Sequence, residues 1–99
     1  MTKVTVEAGT PKYAAPETLD GLYGTPSDVW SLGIVMVELF SKEKAWKSIL
    51  SKHQLYRKIE GGELPPEVDH TGQFQGVIRR CCCLHPKARI SATELLQRL

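Results

Sequence analysis

The densest run of apolar positions lies between Val29 and Phe40. Val29, Trp30, Leu32, Ile34, Val35, Met36, Val37, Leu39 and Phe40 leave little polar surface between them. A helix that is apolar almost all round is a buried central helix. Ser27 or Asp28 is placed to cap it, accepting bonds from the first free amides. The β-branched Ile34, Val35 and Val37 would also suit a buried strand, but length and the capping signal favour helix. Further on, Ile49, Leu50, Leu55, Tyr56 and Ile59 alternate with Lys, His and Arg. That pattern predicts an amphipathic helix over 48–60, stopped by Gly61-Gly62. Phe74, Val77, Ile78, Cys81 and Cys82 recur at helical spacing and predict a helix over 72–83, with Pro86 at or just beyond its end. Ser91-Ala92-Thr93-Glu94 reads as a capping box ahead of Leu95, Leu96 and Leu99.

The N-terminal quarter is patterned differently. Gly9, Pro11, Pro16, Gly21, Gly24 and Pro26 break any regular element, so residues 9–26 are mostly loop with one helical turn after Pro16. Residues 1–8 alternate loosely through Val4, Val6 and Ala8, as a short extended segment or a mobile arm would. Residues 41–47 are a polar loop, and Pro65-Pro66 opens an extended one. The fold class is therefore mainly α: a structured loop followed by about four helices in a single unit.

Composition narrows the chemistry. The chain has 99 residues and a formal charge of +2, with both signs spread throughout. Arg79, Arg80, Lys87 and Arg89 are too few and too interrupted to form a nucleic-acid face. No apolar run approaches the ~20 residues of a membrane span, and Met1–Thr5 lacks the apolar core of a signal peptide. No nucleic-acid or membrane partner is expected. Cys81-Cys82-Cys83 is an odd count without framework spacing, so free thiols and a cytoplasmic or nuclear setting are expected. Consecutive helical residues point ~100° apart, so the three thiols cannot converge on a metal. Cys81 and His85 share a face, but two ligands are half a site, and no metal is expected.

Three motifs carry a resemblance. Gly9-Thr10-Pro11-Lys12-Tyr13-Ala14-Ala15-Pro16-Glu17 resembles the G-T-x-x-Y-x-A-P-E that ends a protein kinase activation segment. Asp28-Val29-Trp30-Ser31-Leu32-Gly33 resembles D-V-W-S-x-G, and His85-Pro86-Lys87-Ala88-Arg89 resembles D-P-x-x-R. In that order they cover nearly the whole chain and identify it as similar to the C-terminal lobe of a eukaryotic-type protein kinase. The resemblance implies the end of an activation segment over 1–17 and C-lobe helices over 18–99. It implies that Gly9, Thr10, Pro11 and Tyr13 line the substrate pocket, Thr10 reaching toward the catalytic loop. Thr10 and Tyr13 favour a serine/threonine enzyme, while a cysteine near 81–83 is common in the tyrosine-kinase-like branch. Ala15, Pro16, Trp30 and Gly33 would be structural. Glu17 would form a buried ion pair with Arg89, and Asp28 would brace the catalytic loop. Thr5 is a candidate phosphosite. The pattern departs from the family at His85, usually aspartate, and at Ile90, usually proline.

Phosphoryl transfer needs a glycine-rich loop, a strand lysine, a catalytic-loop aspartate and a metal-binding D-F-G. These residues contain none of them, and the N-lobe and catalytic loop lie outside them. ATP and Mg are expected for a whole domain only, protein hydroxyls are the expected substrate, and the chain alone should be inactive. The family covers one side of the helix at 28–40 with upstream elements, so exposed apolar surface is expected here. The alternative is a non-catalytic interaction module that docks through the helices at 48–60 and 72–83.

Overall fold

A computed structural model describes residues 2–3 and 11–99. The apolar run becomes α1, Thr25–Ser41. Pro26 sits in its first turn, where a missing N–H costs nothing and the fixed φ suits the helix. The helix therefore starts earlier than the capping reading placed it. Gly24 is the cap residue, with no side-chain bond. Ser27 and Asp28 are inside the first turn, their amides both reaching the Gly24 carbonyl. The other end closes at Lys42, a left-handed residue (φ 60°) whose amide donates to the Glu38 carbonyl.

Trp30, Ile34, Met36 and Val37 carry the buried side of α1. They face α3 (Gln75–Cys81), α4 (Ala92–Arg98) and a 3₁₀ turn at Pro66–His70. Ile78, Cys81, Cys82, Leu95 and Val68 complete this core. The helix is not covered all round: Leu32, Val35 and Leu39 are 42%, 46% and 64% exposed. Their spacing lines them along one side, with exposed Asp28 one turn before.

Gly33 sets how closely α1 and α3 approach. A Cβ there would meet Cys82 Sγ at 2.6 Å and Cys81 Cβ at 2.9 Å. Two of the three cysteines are thus small buried residues packed against a bare backbone.

The remaining elements adjust the expected boundaries. α2 runs over Lys52–Glu60 because Ser51 caps it, accepting from the Gln54 amide at 3.1 Å. The four residues before it are not helical, and Leu50 is 93% exposed. α3 is shorter than the expected 72–83 and is led in by a 3₁₀ turn at Gly72–Phe74. The Pro66–His70 stretch turns where an extended loop is expected, and the Thr71 hydroxyl donates to the Val68 carbonyl at its end. Ser91 caps α4 through the Glu94 amide, but the second arm of the box is missing. The Glu94 carboxylate turns instead to Arg80 and Arg98. A minimal antiparallel pair joins β1 (Thr2–Lys3) to β2 (Leu22–Tyr23). No helix among the described residues is long and apolar enough to cross a membrane.

Candidate functional site

The segment Pro11–Glu17 is laid along the start of the fold and fastened at both ends. Ala15 is fully buried, and its carbonyl accepts from the amide and hydroxyl of Thr18. Pro16 opens a 3₁₀ turn, Pro16–Asp20, which closes at Gly21 in the left-handed region (φ 83°). That turn aims the Glu17 carboxylate inward.

Glu17 meets Arg89 in a two-pronged ion pair, with both N–O distances 2.7 Å. The side chains are 9% and 1% exposed. The remaining guanidinium donors reach the carbonyls of Cys83 (2.8 Å), Pro26 (2.9 Å) and Leu84 (3.3 Å). All five N–H groups of Arg89 are therefore matched by five acceptors. Its guanidinium lies 5.1 Å from the centre of the Trp30 ring, within cation–π range. Ser27 donates its hydroxyl to Glu17 at 2.8 Å. Burial by itself raises the Glu17 pKa. Hydrogen bonds from Arg89, its own amide and Ser27, with the charge of Arg89, outweigh burial and hold the carboxyl below its ordinary value.

The other end of the segment is held at the surface. The Tyr13 hydroxyl donates to Glu38 Oε1, Lys12 pairs with Glu38 Oε2 at 3.2 Å, and the Ala45 amide donates to the same oxygen at 2.9 Å. Ser31 donates its hydroxyl to the Tyr13 carbonyl at 2.7 Å. Partial burial pushes the Glu38 carboxyl up, and its bonds from Tyr13, Ala45 and Lys12 hold it down overall. The Glu38 bond is the main reason the Tyr13 hydroxyl titrates above its usual range. Glu38 thus couples the loop at Pro11–Tyr13 to the loop after α1. That second loop holds Trp46 in a left-handed conformation (φ 60°), stabilised where buried Glu67 accepts its amide at 2.8 Å.

Of the expected structural residues, Glu17 meets Arg89 and Arg89 meets Trp30; Pro16 opens the turn that carries Glu17, and Gly33 lies against Cys81 and Cys82. Pro11 is buried and Tyr13 is 39% exposed. Asp28 is exposed, and its carboxylate has no hydrogen-bond partner among the described residues. Gly9, Thr10 and Thr5 lie outside the described residues. Sequence reasoning missed Glu38, although it is the only charged residue between Val29 and Phe40. A lone carboxylate in an apolar run was the available signal. Cys82 donates to the Trp30 carbonyl at 3.6 Å, and burial pushes the Cys81 thiol up to about 11. Among the described residues no three His, Cys, Asp or Glu side chains converge as metal ligands.

Comparison with known sequences points to one family. A family model described as "Protein kinase domain" matches residues 1–99. The chain is 37% identical over 91 residues to a serine/threonine-protein kinase, Nek3, of Oryza sativa subsp. japonica, covering 90% of this chain and 15% of the relative. It is 33% identical over 97 residues to the serine/threonine-protein kinase STE20 of Saccharomyces cerevisiae, covering 95% of this chain and 10% of the relative. It is 32% identical over 90 residues to the protein-tyrosine kinase 6 of Homo sapiens, covering 89% of this chain and 20% of the relative. The chain thus spans no more than a fifth of these relatives.

Proposed function

The chain belongs to the protein kinase domain family, and on that premise we propose that it is the substrate-facing part of a serine/threonine kinase. In its whole form that kinase transfers the ATP γ-phosphate to protein hydroxyls. The observation that carries the reading is the double anchoring of Pro11–Glu17. A surface that presents a protein hydroxyl for attack must be held still, because positioning supplies much of the catalysis in phosphoryl transfer. Glu17 and Arg89 fasten that surface to the core, and Glu38 sets its outer edge through Tyr13 and Lys12. The Asp28 carboxylate and the Leu32–Val35–Leu39 stripe form the side of α1 that braces the catalytic loop in the whole domain.

The residues present do not fit ATP with magnesium. No carboxylates converge for the metal among those described, and no glycine-rich loop occurs in the sequence. Within these 99 residues the roles are to bind and orient the substrate chain, and the segment is inactive by itself. Three free thiols fit a reducing compartment, the cytosol or nucleus.

The test is transfer of labelled phosphate from ATP by the full-length protein, followed by phosphoamino-acid analysis. Label on serine and threonine supports the reading, and label on tyrosine moves the protein to the other branch. No transfer, with a native mass near that of these residues alone, leaves a kinase-like interaction module. Leu32, Val35 and Leu39 would then be its binding surface.

A further inference from the structure

His85 replaces the aspartate of the family pattern, and neither anchor of the substrate segment uses it. It is exposed and lines two open clefts at once. The first, about 510 Å³, has Asp20 and Glu60 on its walls and Leu84 beside His85. Glu17 also borders it, but its charge is matched by Arg89. Asp20 and Glu60 are exposed and have no ion-pair partner among the described residues. The second cleft, about 600 Å³, is almost wholly apolar, formed by Pro26 and Pro86 with Lys87 at its edge. Lys87 is likewise exposed and unpaired among the described residues.

Leu84 is 42% exposed and lies against the chain at Gly62. The backbone of Gly62, in the left-handed region (φ 76°), lies so near that an added Cβ would meet Leu84 Cβ at 2.9 Å. The surface therefore reads as a sequence: negative, then apolar through Leu84, Pro26 and Pro86, then positive.

We propose that this double cleft docks an extended segment of a partner protein in one direction. A basic residue would lie against Asp20 and Glu60, an apolar residue over Leu84 and the prolines, and an acidic residue near Lys87. Opposed charges at the two ends fix the polarity, since the reversed segment places like charges together. A phosphate backbone or an anionic lipid surface is disfavoured by the acidic end. His85 keeps the middle free of the negative charge that an aspartate would bring. The site adjoins the buried end of the Pro11–Glu17 segment at Pro16 and Glu17, and its binding does not depend on phosphoryl transfer.

The test uses the full-length protein and fluorescent peptides carrying two arginines, a leucine-proline centre and two glutamates, read by anisotropy. Saturable binding is expected, with the reversed peptide roughly tenfold weaker. The variant carrying Asp20→Lys and Glu60→Lys should lose about tenfold for the forward peptide. It should regain binding to a peptide whose arginines are replaced by glutamates. If that variant fails to fold, Lys87→Glu tests the other end in the same way. Equal binding of both orientations, absence of saturable binding, or folded variants that bind unchanged overturn the proposal. So does occupation of the cleft by a second copy of the chain, read by sedimentation.

Discussion

Two carboxylates fasten the same short segment, and they do it in opposite surroundings. Glu17 is nearly dry, meets a fully satisfied guanidinium, and links three stretches that are distant in sequence. Glu38 is 22% exposed and shares its oxygens among a phenol, an ammonium and an amide. A buried pair whose partner is lost leaves an uncompensated charge, whereas an exposed pair is replaced by water at small cost. The first anchor is therefore a stability device, and the second sets the position of the loop with little bearing on whether the chain folds.

The comparison breaks most visibly at Arg89. Arg89→Ala should lower stability by about 3–5 kcal/mol in chemical denaturation, because Glu17 stays buried without its partner. Arg89→Lys should recover only part of this, since an ammonium cannot meet five acceptors in a plane. A loss within the range of surface pairs, roughly 0.2–1 kcal/mol, would place Glu17 in the same class as Glu38.

Gly33→Ala tests the floor under the buried anchor. The added methyl runs into Cys82 Sγ, and Cys82 is bonded to the Trp30 carbonyl. A destabilisation of about 1–3 kcal/mol is expected, typical of overpacking. Cys82→Ala in the same chain should relieve part of it, which thermal melts of the single and double variants will show.

pH separates the anchors by sign. The Glu17 carboxyl is depressed, so its contribution is complete above its ordinary value of 4.5 and is lost as pH falls through the lower folded value. Glu38 is depressed too and weakens over the same acid window. Only the outer anchor has an alkaline limit. The Tyr13 hydroxyl is raised above its ordinary value of 10.0, so its contribution is complete below that pH and lost as pH rises through the folded value. Tyrosinate absorbance and amide exchange above pH 10 should show the loop at Tyr13 loosening while Glu17–Arg89 holds.

The smallest effect is at Glu38→Gln. Stability should fall by roughly 0.2–1 kcal/mol, as for an exposed pair. On the proposed function, the same change in the full-length protein should raise the KM for a protein substrate more than it lowers kcat. An equal loss in both would mean that Glu38 acts on the reacting groups rather than on the loop.

Much of this was legible from residue order, and the failures have physical reasons. The apolar run announced α1, but Pro26 moved its start forward and turned Ser27 from a cap into a donor to Glu17. α2 was placed too early because Ile49 and Leu50 fit its period, while Ser51, with its oxygen ready for the Gln54 amide, marked the true start. Ser91 capped α4 as expected, yet Glu94 preferred two arginines to the backbone. The Glu17–Arg89 contact joins residues 72 positions apart, and only the motif resemblance pointed to it. Glu38 was hidden for the same reason, since its partners lie in two loops that meet only after folding.

Trp30 and Trp46 give the molecule two built-in optical probes. Trp30 is sealed beneath the Arg89 guanidinium, and Trp46 is buried in the loop that Glu38 and Glu67 pin. Replacing either indole with phenylalanine leaves emission from one anchor alone. The order in which the two signals redden during slow unfolding would then time the release of each end of the Pro11–Glu17 segment.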